Sequence, residues 1–224
     1  MITRRSHIAA LIAVLAILAF ASNARAVGYS VAYEAGDTHG HYEGFHQYAE
    51  SGSGDRMAGA RVTVTFDDAS TETAVWKDLG GTSGGAFGSS WSLQVDGDTD
   101  APGISWTLTV DAGTPIDIVE IEAWTGNAVF DVKASLPNTP ESGAGGEFAP
   151  VGADAGIAAV ATYWDVVIFV PDLDPVGDIY SRLVIEFGAS FTGTYDFYAD
   201  TDIVQVGHPG NRRGIRRDRD ALRR

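Results

Sequence analysis

The sequence predicts an all-β fold: an antiparallel two-sheet sandwich of about ten strands, with a jelly-roll-like arrangement. Three observations predict it. Short segments alternate apolar and polar residues with a period of two, turn-forming clusters separate these segments, and helical periodicity does not recur along the chain. The 27 glycines and the frequent Thr, Ser and Asp at polar strand positions agree with this class. We therefore expect two sheets that pack face to face.

Five segments alternate strictly enough to assign both faces of a strand. In Arg61–Asp67, the side chains of Val62, Val64 and Phe66 share one face, opposite charged and hydroxyl residues. The other four strictly alternating segments are Trp91–Asp96, Trp106–Asp111, Leu183–Phe187 and Tyr195–Asp200. Further strands are predicted at Tyr29–Glu34, Glu72–Lys77, Ile116–Trp124, Ala128–Val132 and Tyr163–Val170. Turn clusters, among them Gly80–Gly85, separate the strands.

One long segment, Lys133–Ala158, shows neither period and contains three prolines and several glycines. It predicts an excursion loop over one end of the sandwich, and a disordered connector is the alternative. The segment does not separate two cores, so residues 27–206 are expected to form one domain. Cysteine is absent, so no disulfide contributes to the stability of this domain.

The first 26 residues have the organisation of a secretory signal peptide. Two arginines precede an apolar run from Ile8 to Ala21, and Ala24-x-Ala26 follows it with small side chains. The run is shorter than the ~20 residues that span a bilayer as a helix. We predict cleavage after Ala26, and a retained membrane anchor is the alternative.

Charge is distributed unevenly along the chain. Residues 27–206 contain 28 acidic and five basic residues, a net charge of −23. A domain this acidic repels nucleic acid and anionic lipid, and it attracts divalent cations. Nucleic acid is therefore excluded as an expected partner.

Residues 207–224 have the opposite composition, with seven arginines and two aspartates. With few apolar residues to bury, this segment is predicted to be a disordered basic tail. It has three interpretations: an arm that binds polyanions, a strap on the acidic domain, or the product of a frameshift in a GC-rich gene. We favour the frameshift.

A calcium site is predicted at Asp96, Asp98 and Asp100. Their carboxylates stand at alternate positions of a turn, and calcium prefers such hard oxygen ligands. The EF-hand pattern is not matched, since Ala101 takes the place of its glycine and Thr107 that of its final glutamate. The alternative is a solvated turn in which Asp and Gly serve local backbone hydrogen bonds.

Two further groups are weaker candidates for metal binding. Asp37, His39, His41 and Glu43 would share one face of an extended segment, and two imidazoles with a carboxylate could hold zinc or copper, although no zinc spacing is matched. An exposed loop or edge strand explains them equally. The second group comprises Asp172, Asp174 and Asp178.

Glu120 and Glu122 form the strongest candidate for catalysis. Residues two apart on a strand lie ~7 Å apart on one face, a separation compatible with paired glycosidase carboxylates. Ile118 stands where a third acid would extend the row, and a solvent-facing strand is the alternative. We assign no catalytic residue and expect no enzyme activity.

The five tryptophans are candidate platforms for sugar stacking. Trp91 and Trp106 are in phase with apolar strand neighbours, which assigns them to the core. Trp124 would share a face with Glu120 and Glu122 and is the better candidate for exposure.

Several motifs resemble exported bacterial proteins that are sorted by the PEP-CTERM/exosortase system. They comprise the predicted hairpin Met57–Trp76 and the segments Trp91–Thr99, Ile121–Asp131 and Phe191–Asp202. The resemblance implies a β-sandwich sent to the cell surface or extracellular matrix of a Gram-negative bacterium. It also implies a C-terminal Pro-Glu-Pro motif, a transmembrane helix and a basic cluster, whereas here Val206 is followed directly by the arginine-rich tail.

Together these observations predict a non-enzymatic, exported protein of the envelope or extracellular matrix. The alternative is a carbohydrate-binding sandwich with structural calcium, and a glycoside hydrolase is the third hypothesis. Extracellular polysaccharide and other envelope proteins are the expected partners. Calcium is the one cofactor considered, and the mature chain is expected to have no transmembrane segment.

Overall fold

The computed structural model describes residues 28–34, 39–43, 52–101, 103–132, 145–170 and 178–204. These residues form two β-sheets that pack against each other, with no α-helix among them, so the predicted all-β sandwich is confirmed. The predicted signal peptide, the basic tail and the first half of the segment Lys133–Ala158 lie outside the described residues. In the part of the chain that is described, no helix is long and apolar enough to cross a membrane.

The larger sheet contains nine strands in the described residues, numbered in chain order. They are β1 (Tyr29–Glu34), β2 (His39–Glu43), β3 (Arg61–Phe66), β4 (Thr71–Val75), β9 (Ile116–Glu122), β10 (Ala128–Asp131), β12 (Ala159–Val170), β13 (Ile179–Phe191) and β15 (Thr201–Ile203). Its main order is β1-β12-β13-β9-β3-β4. The short strand β10 lies between the start of β13 and β15, and β2 pairs with the end of β12.

The smaller sheet contains six strands in the described residues: β5 (Lys77–Gly80), β6 (Ser83–Phe87), β7 (Trp91–Asp96), β8 (Trp106–Val110), β11 (Ala149–Pro150) and β14 (Gly193–Tyr198). Their order is β11-β14-β8-β7-β6-β5. All pairings in this sheet are antiparallel. In the larger sheet, β1 and β2 run parallel to β12, which the sequence did not predict.

Alternation along the strands produces the sandwich. In β7 and β8, every second residue is buried, beginning with Trp91 and Trp106, and the residues between them face outward. The buried faces of the two sheets form one continuous core that is rich in aromatic rings. At its centre, the ring of Trp106 stacks on Phe197 at 5.8 Å and lies 5.2 Å from the ring of Trp76.

The predicted strand Glu72–Lys77 is divided between the two sheets. β4 ends at Val75, the buried Trp76 forms a corner, and β5 begins at Lys77 in the smaller sheet. The Trp76 indole N–H donates to the Gly54 carbonyl at 2.7 Å, and the Trp76 amide donates to the Ala60 carbonyl at 2.8 Å. Because these bonds hold the corner inside the core, one run of sequence supplies edge strands to both sheets.

The predicted turn Gly80–Gly85 is wrong in its second half, which forms the start of β6. Gly84 is buried there, and a Cβ at this position would collide with the Gly54 carbonyl and the Trp76 indole. Glycine therefore serves a close approach of two chain segments rather than a turn. Alternation cannot predict this, since it does not report which segments meet.

Other boundaries also differ from the predictions. The strand predicted at Tyr195–Asp200 is β14, Gly193–Tyr198, after which the chain crosses to β15 in the larger sheet. The segment Lys133–Ala158 is also more ordered than predicted where it is described, because it contributes β11 and a 3₁₀ turn at Gly152–Gly156.

Candidate functional site

The tryptophans lie mainly in the interior of the sandwich. Trp76, Trp91 and Trp106 are at most 4% exposed, so the prediction that Trp91 and Trp106 belong to the core is confirmed. The Trp106 indole N–H donates to the Ala199 carbonyl at 2.8 Å. These rings hold the fold together and present no platform to a ligand.

The predicted strand Ile116–Trp124 ends two residues early, so Trp124 does not lie on the strand that carries Glu120 and Glu122. β9 ends at Glu122, and Trp124 lies in a 3₁₀ turn, Ala123–Gly126, that ends at Asn127 with a φ of 58°. The Trp124 ring is partly buried against a small second cluster on the outer side of the larger sheet. That cluster comprises Val129, Val167, Ile179 and Val204.

Glu120 belongs to a group of charges on the outer face of the larger sheet. Arg182 lies at its centre, with its Nη1 atom 3.3 Å from Glu120 Oε1 and its Nε atom 3.1 Å from Asp165 Oδ2. The guanidinium carbon lies 5.3 Å from the centroid of the Trp164 ring. Glu122 stands between Arg61 and Arg182 in the strand register. The two glutamates therefore lie among cations.

Asp165 occupies a left-handed backbone position, with a φ of 61°. This residue has no partner of its own in the β12–β13 register, where Trp164 pairs with Arg182 and Val166 pairs with Tyr180. The irregularity brings the Asp165 carboxylate to the guanidinium of Arg182.

The three predicted calcium ligands have separate surroundings. Asp96 accepts hydrogen bonds on Oδ1 from the hydroxyls of Thr82 at 2.9 Å and Ser83 at 2.7 Å. Asp98 forms an isolated backbone bridge with Ser53, and Asp100 interacts electrostatically with the buried Asp200. Among the residues described, no three His, Asp or Glu side chains are grouped to hold a metal ion. Calcium at these aspartates therefore stays a prediction.

The other predicted metal groups are only partly described. β2 contains His39, His41 and Glu43, but its register with β12 shifts between His39 and His41, so the regular alternation that the extended-segment hypothesis requires is interrupted. Asp172 and Asp174 lie outside the described residues. Asp178 is fully buried, and its carbonyl accepts a hydrogen bond from the Val132 amide at 2.7 Å.

Sequence reasoning missed a group of buried acids where β10 meets β15. Asp131, Asp200 and Asp202 are at most 3% exposed, and the Asp131 amide donates to the Asp200 carbonyl at 3.2 Å. Burial raises the pKa of Asp200 to about 8, and the charges of Asp202, Asp131 and Asp100 add to the effect. The one signal in the sequence was that an acidic residue stands on each side of Thr201. Alternation alone assigns such a pair of acids to a solvent-facing surface.

The outer face of the smaller sheet carries a shallow depression of about 460 Å³. Its polar lining comprises Ser83, Gln94, Asp96, Ser105 and Thr107, and Ile104 contributes an apolar wall. Thr107 donates its hydroxyl to Asp196 Oδ1 at 2.7 Å. The hydroxyls of Ser83 and Thr82 lower the pKa of Asp96, in that order of effect, which keeps its carboxylate ionised as a hydrogen-bond acceptor.

A second depression, of about 370 Å³, lies where the starts of β1 and β12 meet β13. Glycine, alanine and valine form much of its lining, and Glu186 is its one ionisable carboxylate. It therefore offers a ligand fewer hydrogen-bonding groups than the depression on the smaller sheet.

Comparison with protein-family models, with curated proteins and with solved structures finds no match to this chain.

Proposed function

We propose that this chain is a non-enzymatic, exported β-sandwich protein of the envelope or extracellular matrix of a Gram-negative bacterium. It acts by binding and by its own structure rather than by catalysis. The proposal depends on one observation: the residues that could have served catalysis or sugar stacking are engaged in contacts that hold the fold together. Three tryptophans fill the core, and Glu120 forms an ion pair with Arg182.

The acidic charge supports an extracellular role. With a net charge of −23 over residues 27–206, the domain stays soluble and repels nucleic acid and anionic membrane surfaces. The PEP-CTERM resemblance supports the envelope or matrix location.

Export is tested by expressing the full chain in a Gram-negative host, followed by fractionation and N-terminal sequencing. Val27 is the expected first residue of the protein recovered from the periplasm, envelope or medium. A charge within the apolar run, introduced as Leu15→Arg, should leave the full-length chain in the cytoplasm. Recovery of unprocessed wild-type protein from the cytoplasm would contradict the proposal.

Absence of catalysis is tested by incubating the purified protein with a panel of polysaccharides and measuring released reducing ends. We expect no release above that of a heat-inactivated sample. Activity that is lost in both Glu120→Gln and Glu122→Gln would overturn the proposal and support a glycoside hydrolase. Thr73→Ala, an exposed change on β4 of the same sheet, is the matched control.

A further inference from the structure

The outer face of the smaller sheet has the chemistry of a binding surface. We infer that the depression lined by Ser83, Gln94, Asp96, Ser105 and Thr107 is a binding site for a neutral polysaccharide. This inference rests on the proposed function, because it names the class of partner that an exported matrix protein would bind. We call the surface the polar depression.

The polar depression combines the hydrogen-bonding groups that sugar hydroxyls require. A sugar hydroxyl both donates and accepts, so it pairs with a hydroxyl, an amide or a carboxylate. Gln94 supplies an amide, Ser105 and Thr107 supply hydroxyls, and Asp96 supplies a carboxylate. These groups lie within one open depression, whose volume of about 460 Å³ is large enough for a sugar unit.

The lining is held in place before a ligand arrives. Gln94 and Thr107 stand opposite each other on adjacent strands, and Thr107 is bonded to Asp196 on the next strand. Asp96 is held by two hydroxyl donors on Oδ1, and its second carboxylate oxygen provides a further acceptor. Side chains fixed on a paired sheet lose little freedom when a ligand binds.

The polar depression also has an apolar wall. The partly buried Ile104 lies in its lining, and this side chain suits the C–H surface of a sugar. The isoleucine adds an apolar contact that does not depend on hydrogen bonds.

Charge determines which polysaccharide the site accepts. Asp96 lies in the lining and Asp196 lies beside it, within a domain of high negative charge. Uronic acid or sulfated chains would bring like charges together without a cation between them. A neutral polysaccharide escapes this repulsion and still supplies hydroxyl donors to the carboxylates.

The outer face of the larger sheet does not offer the same chemistry. Its central groups are charged and are bound to one another, as Arg182 is to Glu120 and Asp165. A sugar that bound there would first have to separate ion pairs. The polar depression instead presents hydroxyl, amide and carboxylate groups that can exchange water for sugar hydroxyls.

The test is affinity gel electrophoresis of the exported protein in gels that contain hydroxyethyl cellulose, dextran or galactomannan. We expect at least one of these neutral polysaccharides to retard the protein, and alginate, an anionic polysaccharide, to retard it less. Gln94→Ala should weaken binding about fivefold through the loss of hydrogen bonds to the ligand. Ser105→Trp should abolish binding because the indole fills the polar depression.

Thr73→Ala is the matched control, since it removes an exposed hydroxyl from the other sheet and should leave retardation unchanged. Thermal unfolding of each variant establishes that the fold is intact. Failure of all three neutral polysaccharides to retard the protein, or equal retardation of wild type and both variants, overturns the inference. Stronger retardation by alginate also overturns it. The inference can fail in this way while export and the absence of hydrolysis still support the proposed function.

Discussion

The two sheets share one core but differ on their outer faces. The larger sheet carries charged residues that pair with each other around Arg182, and it buries Asp131, Asp200 and Asp202 at one end. The smaller sheet carries hydroxyl, amide and carboxylate groups around an open depression. Outward-facing polar residues on a strand can therefore have different uses. On the larger sheet they form ion pairs with one another, and on the smaller sheet some of them line a depression that a ligand can reach.

The shared core should show the largest effect of a single substitution. Trp106→Ala removes a ring that is 1% exposed and stacks on Phe197, and its indole hydrogen bond is lost as well. We expect a loss of about 3–5 kcal/mol in the free energy of unfolding, measured in urea. Phe87→Ala is the control, because that ring is 41% exposed, and it should cost much less. Similar losses for both variants would contradict a core common to both sheets.

The buried acids of the larger sheet should make the domain less stable as the pH rises. Asp200 has a pKa of about 8 in the folded protein, against an ordinary value of 3.8. The folded state therefore holds a proton that the unfolded state has released, and stability falls between about pH 4 and pH 8. Asp200→Asn keeps the neutral form. It should stabilise the protein at pH 8, by an amount on the order of 2–4 kcal/mol, and by a smaller amount at pH 5.

This comparison should be made in EDTA, by thermal and urea unfolding at both pH values. The matched control is Asp111→Asn, which neutralises an exposed aspartate at the end of β8. A variant that is less stable than wild type at pH 8 would show that the Asp200 carboxylate is used in its charged form. The buried acids of the larger sheet would then no longer be a feature that lowers its stability at high pH.

Glu72 joins the two sheets along one edge of the sandwich. Its carboxylate on β4 accepts hydrogen bonds from the Ser89 amide and hydroxyl and from the Trp91 indole, at 2.9–3.1 Å. The hydrogen bond from the Ser89 amide is the largest cause of the lowered pKa of Glu72. The Glu72 carboxylate therefore contributes to the free energy of unfolding above about pH 4.5, and this contribution is lost as the pH falls. Allowing for its partial exposure, Glu72→Gln should cost about 1–2 kcal/mol at pH 7. An equal cost at pH 3, measured by urea unfolding, would refute this explanation.

The ion pairs on the larger sheet should have the smallest effect. Arg182 and Glu120 are partly exposed, with side chains 29% and 38% accessible, so solvent screens their attraction. Glu120→Gln should change the free energy of unfolding by less than about 1 kcal/mol, and less still in 1 M salt. Glu34→Gln, at the end of the edge strand β1, is the control. A loss above about 2 kcal/mol would mean that this face contributes more to stability than its exposure allows.

Local pattern predicted most of the fold. The strands β3, β7 and β8 were predicted nearly to the residue, because a period of two is set by the geometry of an extended chain. The assignment of Trp91 and Trp106 to the core follows from the same geometry. The candidate site was predicted less well. Of the residues lining the polar depression, the sequence singled out Asp96, and as a calcium ligand rather than part of a hydrogen-bonding face.

The residues that were missed depend on contacts between distant segments. Gly84 was taken for a turn residue because its close approach to Gly54 is invisible along the chain. Alternation puts Asp200 on the polar face of the predicted strand Tyr195–Asp200, and it does not report what covers that face. The period of two extends the predicted strand to Trp124, whereas β9 ends at Glu122 and a 3₁₀ turn follows it.

By itself, the sequence determined that this protein forms a β-sandwich, which residues fill its core, and how acidic its surface is. These properties depend on side-chain type and on the alternation of an extended chain. The tertiary structure alone decided which strands are neighbours and which polar residues are buried. It also decided which of them share an accessible depression, because strand order and the crossings between sheets bring together residues far apart in sequence.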